Sequence, residues 1–169
     1  MSLKQAILQI HSLLESASID HALIGGFALA VHGINRATGD IDLLVNEVDR
    51  ERLVHALNQK NYRIVAESVE VLHFSGEVRL DVLLARRPIS REMLERAEKT
   101  ELLGSIKYLG AEDLIGLKIQ AYCNDRRRQL QDKSDIQFLL KKYPDLDLKR
   151  VKFYADFFNE WPEIESLRK

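Results

Sequence analysis

The chain has 169 residues, of which 46% are apolar and 30% charged, and a formal net charge of −1. That length suits one domain, or one domain with a helical extension, with enough apolar surface for a real core. The balance excludes a global basic field announcing nucleic acid, the lack of any run of about 18 apolar residues excludes a membrane-spanning helix, and a single cysteine, Cys123, excludes an intrachain disulfide or a multi-cysteine metal site.

Residues 3–17 set Leu3, Ile7, Ile10, Leu13 and Leu14 at helical spacing, interrupted by polar residues, unlike a secretory signal. A cytoplasmic protein is the expected reading. "HALIG" is a short buried strand that stops at Gly25-Gly26, and "GFALAVHG" is a short helix opened and closed by glycine. "DIDLLV" is a strand. "VDRERLVHALNQK" is a helix with Asp49 as its N-cap and Leu53, Ala56 and Leu57 inward. "YRIVAE" and "VEVLHFSG" are strands. "EVRLDVLLA" alternates, with Val78, Leu80, Val82 and Leu84 on one face and Arg79, Asp81 and Leu83 on the other. "ISREMLERAEK" is a charged helix after Pro88, and "SIKYLG" a short strand or link. From Ala111 the chain turns helical through "AEDLIGLKIQAYC", "RRRQLQDKSDIQFLLKKY" and "LKRVKFYADFFNEW". In the last of these, most of Phe153, Tyr154, Phe157, Phe158 and Trp161 are expected to dock on the core. The five histidines show neither His-x-His nor His-Glu-x-x-His spacing, so no zinc signature is legible.

The chemistry concentrates in "ALIGGFALAVHGINRATGDIDLLV". Gly25-Gly26 between a strand and a helix permits positive φ and close approach of a ligand to the main chain. The unpaired N–H groups of the helix's first turn suit a phosphate. Asp40 and Asp42, two apart on a strand, share a face, while Ile41 points into the core. At a carboxylate separation of ~6 Å and an effective dielectric of ~20, they repel by about 3 kcal/mol. A divalent cation between them would relieve that cost, and magnesium is typically held by carboxylates together with substrate phosphates. Without a cation, they are simply an exposed pair at a strand start. Asp81 sits mid-strand on the face opposite Leu80 and Val82. If its strand pairs beside "DIDLLV", three carboxylates converge, enough for two metal ions and in-line phosphoryl transfer.

This pattern resembles the nucleotidyltransferase superfamily typified by DNA polymerase beta: Gly-Gly, about a dozen residues, Asp-x-Asp, then a third strand carboxylate. The resemblance covers residues 22–85. It extends more loosely into "DLIGLKIQAYCNDRRRQLQDKSDIQFLL", which is similar to the helical segment of small bacterial members, including AbiEii-type toxins of toxin–antitoxin pairs. It implies that Asp40, Asp42 and Asp81 are catalytic and hold two Mg²⁺ ions. It also implies that Gly25 and Gly26 hold a nucleoside triphosphate. Arg36 and Thr38 are added from the loop, Arg36 toward a phosphate and Thr38 bracing Asp40. Lys118 is a further triphosphate ligand, with Asp132 and Asp135 on the acceptor side or orienting Lys118. The bland alternatives are a solvated Arg36, a snorkelling Lys118 and a surface charge pattern in which Lys133 and Arg128 pair with the aspartates. His32 is read as a helix-end residue near the dipole.

The expected architecture is α/β (α+β), a nucleotidyltransferase fold with a mixed sheet. Residues 1–110 form the core and 111–169 a helical region packed on it. The expected reaction moves a nucleoside monophosphate from an NTP to an acceptor hydroxyl and releases pyrophosphate. The acceptor stays open between RNA, protein and a small molecule such as an antibiotic, with an antitoxin as a candidate partner and no membrane. The rival is a non-catalytic binding or antitoxin-like module on the same fold.

Overall fold

The computed structural model describes residues 2–168. The chain separates into two compact units. One runs up to Val31 and resumes over Asn35–Leu109; the other comprises His32–Ile34 and the chain from Gly110 onward. Among the described residues, no helix is long and apolar enough to cross a membrane.

The first unit is a seven-stranded mixed sheet with helices. Its elements are α1 (Leu3–Ser16), β1 (His21–Leu23), α2 (Gly25–Val31), β2 (Asp40–Asn46), α3 (Arg50–Gln59), β3 (Arg63–Glu67), β4 (Val71–Ser75), β5 (Arg79–Ala85), α4 (Pro88–Arg96), β6 (Glu98–Thr100) and β7 (Ile106–Tyr108). The strand order is β3-β4-β5-β2-β1-β7-β6. β2 lies parallel to β5 and antiparallel to β1, while β1 runs parallel to β7. The central place of β2 explains its sequence. Leu43, Leu44 and Val45 are all buried, so both faces of its C-terminal half are covered, and continuous apolar residues suit such a strand. β5 keeps the alternation of a half-covered strand at its start: Leu80 and Val82 are buried while Asp81 is half-exposed.

α1 opens with a capping box in which Ser2 and Gln5 exchange side-chain and backbone hydrogen bonds. It buries Ala6, Ile7, Ile10 and Leu14, an i, i+3/i+4 stripe. Asp49 precedes α3 without capping it through its side chain; it accepts instead from Arg52 one turn later. Three short elements escaped the sequence reading, one of them a 3-10 turn over Glu101–Leu103. β6 takes up the end of the segment expected as a charged helix, and a 3-10 turn covers Glu47–Asp49. Three-residue pieces carry too little periodicity to be recognised.

The second unit holds α5 (Ala111–Asn124), α6 (Gln129–Lys142), α7 (Leu148–Phe157) and α8 (Trp161–Ser166). Arg126–Arg128 form a 3-10 turn before α6 rather than its first turn. The last expected helix is broken at Asn159, whose φ is +57°, so Trp161 starts a separate helix. The expectation that most aromatics here dock on a core is met in part, with Phe158 and Trp161 half-buried. Tyr154 is buried, but Phe153 and Phe157 are exposed, because only one face of α7 meets α5. Tyr154 packs over Gly116, where a Cβ would come within 2.7 Å of its ring, and its hydroxyl donates to the buried Asp113 at 2.6 Å. Arg150 Nε donates to the same carboxylate at 2.7 Å. Burial, reinforced by the bond to Asp113, pushes the Tyr154 hydroxyl pKa far up.

Candidate active site

The glycine turn and the head of β2 are fastened together. Gly25 has φ +57°, in the left-handed region that glycine enters at little cost. A Cβ there would fall on the Asp42 carboxylate. Gly26 is closed off as well: its Cβ would lie 2.7 Å from Thr38 Oγ1. That hydroxyl donates to the Asp40 carbonyl at 3.2 Å, and the Ile24 N–H donates to the Asp42 carbonyl at 3.0 Å. Arg36 is half-buried in the loop that joins the turn to β2.

β2 and β5 set the aspartates in register on adjacent strands. In their parallel register Asp42 is the partner of Asp81, and Asp40 that of Arg79. Parallel partners project to the same face on strands roughly 4.8 Å apart. Asp40, Asp42 and Asp81 therefore share one face at the N-terminal ends of two adjacent strands, all half-buried. The register thus puts the three carboxylates on one face, beside a glycine that leaves no room for a side chain.

A residue that sequence reasoning missed completes the row. His73 on β4 is the antiparallel partner of Asp81, and its Nδ1 donates to Asp81 Oδ1 at 2.7 Å. An ionised carboxylate only accepts, so the proton of this bond is on Nδ1. The alternation of "VEVLHFSG" puts His73 on the face of Val71 and Ser75, but the register to Asp81 is set across a turn and is not local.

The second unit has a charge cluster of its own. Lys118 on α5 is only 5% exposed. Its Nζ donates to Asp132 Oδ1 at 2.8 Å and lies 2.6 Å from Asp135 Oδ2, both on α6. Asp132 and Asp135, three apart, do share a helix face, and both are buried. Arg128 pairs with the other oxygen of Asp132 at 3.1 Å, whereas Lys133 pairs with Glu163. Lys118 thus does not snorkel to solvent. His32 directly follows the last residue of α2, as expected of a helix-end residue, and is buried with Nδ1 2.7 Å from the Tyr143 hydroxyl. Arg126 and Arg127 are exposed and paired with Glu160 and Asp125. Tyr122 is fully buried and donates to Glu160 at 3.0 Å.

A family model for the nucleotidyl transferase AbiEii toxin of type IV toxin–antitoxin systems matches residues 12–168. The chain belongs to this family. It is a nucleotidyltransferase by family, and its fold agrees. The antibiotic-resistance factor ANT(2'')-Ia, in its solution structure, is similar at a TM-score of 0.67 and 16% identity, covering 98% of this chain and 97% of its own. A crystal structure of ANT(2'')-Ia with adenylyl-2''-tobramycin is similar at a TM-score of 0.68 and 14% identity, covering 94% and 98%. An antigenic nucleotidyltransferase-like protein from Paracoccidioides brasiliensis is similar at 0.63 and 19% identity, covering 98% and 91%. A search of curated proteins returns no match. At these identities the structural likeness concerns the fold, and the AbiEii membership rests on the sequence match.

Proposed function

We propose that this AbiEii-family chain transfers a nucleoside monophosphate from an NTP to an acceptor hydroxyl. The observation that supports it most is the register of Asp42 with Asp81 beside a Gly25 that has no room for a Cβ. Asp40, Asp42 and Asp81 would hold two Mg²⁺ ions. When bound, such ions offset the charge of the triphosphate and of the attacking and leaving oxygens. Gly25 and Gly26 present main chain to the triphosphate, Arg36 reaches a phosphate, and Thr38 braces the strand head. The acceptor oxygen attacks the α-phosphorus, the bond from that phosphorus to the bridging oxygen breaks, and pyrophosphate leaves. Asp81 takes the acceptor's proton, and His73 holds Asp81 in position for it. Lys118 contributes to triphosphate binding, with Asp132 and Asp135 orienting its ammonium group or lining the acceptor side. We further propose a core ending near residue 110 followed by a helical region, and action in the cytoplasm.

Membership of a toxin family favours an RNA or protein acceptor and an antitoxin as partner. A second reading, a small hydroxylated acceptor, is favoured by the fold shared with ANT(2'')-Ia across nearly the whole chain. The experiment is transfer of label from each α-labelled NTP, with Mg²⁺, to total RNA, to cell protein and to a panel of aminoglycosides. Label on one class, lost in Asp42→Asn, identifies the acceptor. Absence of both transfer and metal-dependent triphosphate binding would leave the non-catalytic module as the function.

A further inference from the structure

Three side chains without the expected sequence spacing meet at the junction of α1 and β1. His11 and Glu15 are one turn apart on α1 and so share a face. His21, the first residue of β1, is 2% exposed. His11 Nδ1 lies 2.8 Å from His21 Nε2, and one ligand atom from each of His11, Glu15 and His21 falls within 4.8 Å of the others. The orientation of His21 is fixed by its other nitrogen: Nδ1 is 2.8 Å from the Ile19 carbonyl. A carbonyl only accepts, so Nδ1 carries the proton and Nε2 presents a lone pair toward His11. An imidazole that donates one N–H to a backbone carbonyl and aims its other nitrogen into a ligand cluster has the arrangement of a metal-binding histidine. The frame behind it is tied down. The N–H groups of Ser18 and Ile19 donate to the carbonyls of Glu15 and Leu14, and Ser18 takes φ +53° to close the turn.

We propose that His11, Glu15 and His21 form a binding site for a divalent transition-metal ion of the zinc type, with water as the fourth ligand. The donor set of two imidazoles and one carboxylate suits zinc and its neighbours, whereas magnesium prefers oxygen alone. Two nitrogens at 2.0–2.1 Å from a tetrahedral ion stand about 3.3 Å apart, so the observed spacing needs to open by about half an ångström. His11 is only partly buried and Glu15 is exposed, so both can make that adjustment around the fixed His21. The site is separate from the carboxylates. His21 is the antiparallel partner of Val45, so it lies on the sheet face opposite Asp42, three residues or about 10 Å farther along β2. The ion would cross-link α1 to β1 and fasten the helix to the sheet.

The test is titration of the chelator-treated full chain with Zn²⁺, and with Co²⁺ for its tetrahedral absorption bands, in excess Mg²⁺ to occupy the carboxylates. One equivalent is expected to bind, with a rise in Tm of roughly 5 °C or more at a hundredfold excess over Kd. His11→Ala should weaken binding by at least about 100-fold and Glu15→Gln by about 10-fold, while Asp42→Asn should leave it unchanged. Both substituted positions lie outside the core, and circular dichroism confirms that the variants fold. Failure of wild type to bind, binding indifferent to His11→Ala, or binding lost in Asp42→Asn would each overturn the proposal and leave an imidazole–imidazole hydrogen bond.

Discussion

Gly25 stands so close to Asp42 that a Cβ on it would occupy the space of the Asp42 carboxylate. The glycine is required twice over, since its φ of +57° also disfavours any L side chain. Gly25→Ala must therefore strain the turn or swing Asp42 out of line with Asp81. A misplacement of about 1 Å at a reacting site costs on the order of 100-fold in rate, whereas the backbone strain is about 1–2 kcal/mol. The expected result is a folded variant that has lost at least about 100-fold in nucleotide transfer, measured by pyrophosphate release beside a thermal melt. Wild-type turnover in Gly25→Ala would separate the turn from the chemistry.

The carboxylate row should be a liability without cations. At ~5 Å and an effective dielectric of ~20, Asp42 and Asp81 repel by about 3 kcal/mol before water screens them. In EDTA, Asp42→Asn should melt above wild type by less than that figure implies. Added Mg²⁺ and triphosphate should reverse the order, because only wild type gains binding stabilisation. Identical melting curves in EDTA would mean that solvent already screens the pair.

The legibility of this molecule divides along the distinction between local and non-local information. The strand at Asp40–Asn46, the alternation around Asp81 and the turn at Gly25-Gly26 were readable because periodicity and glycine act locally. Asp42 and Asp81 could be put on adjacent strands only conditionally, since register is a property of two segments. His73 carried no signal at all: a histidine in an alternating strand is uninformative until its neighbour is known. The same holds for His11 and His21, ten residues apart and joined by a turn with no metal-binding spacing. The aromatic run at 153–161 was legible only in part, because helical phase and not composition decides which ring is buried. Tyr154 and Val151 fall on the buried face of α7, whereas Phe153 and Phe157 fall on the other.

His73 is a positioning residue in the proposed site, acting through its bond to Asp81. His73→Ala removes that donor and frees Asp81 to rotate. We expect kcat to fall about 10- to 100-fold with KM for the triphosphate nearly unchanged, because Asp81 is proposed to serve the acceptor proton. His73→Gln, which can still donate to Asp81, should restore part of the loss. Equal falls for both variants would point to packing of β4 rather than to the hydrogen bond.

Lys118 allows a sharper separation of structure from function. It is buried between Asp132 and Asp135, so Lys118→Met leaves two carboxylates without their ammonium partner, at a cost of about 3–5 kcal/mol. A lowered Tm is therefore expected whether or not Lys118 ever meets a nucleotide. Asp113→Asn supplies the control, because it breaks another buried ion pair of the same unit, that with Arg150, and has no proposed part in binding. An ammonium group has three N–H donors. Asp132 accepts one of them, Asp135 Oδ2 is an ion-pair partner at 2.6 Å, and the proposal gives another to a triphosphate oxygen. Binding of an NTP with Mg²⁺ should be measured by calorimetry well below both melting points. The expected outcome is a several-fold loss of affinity in Lys118→Met and none in Asp113→Asn. Equal affinity in the two variants would make Lys118 an internal strut of the helical unit, and would confine the nucleotide site to the glycine turn, its loop and the strand aspartates.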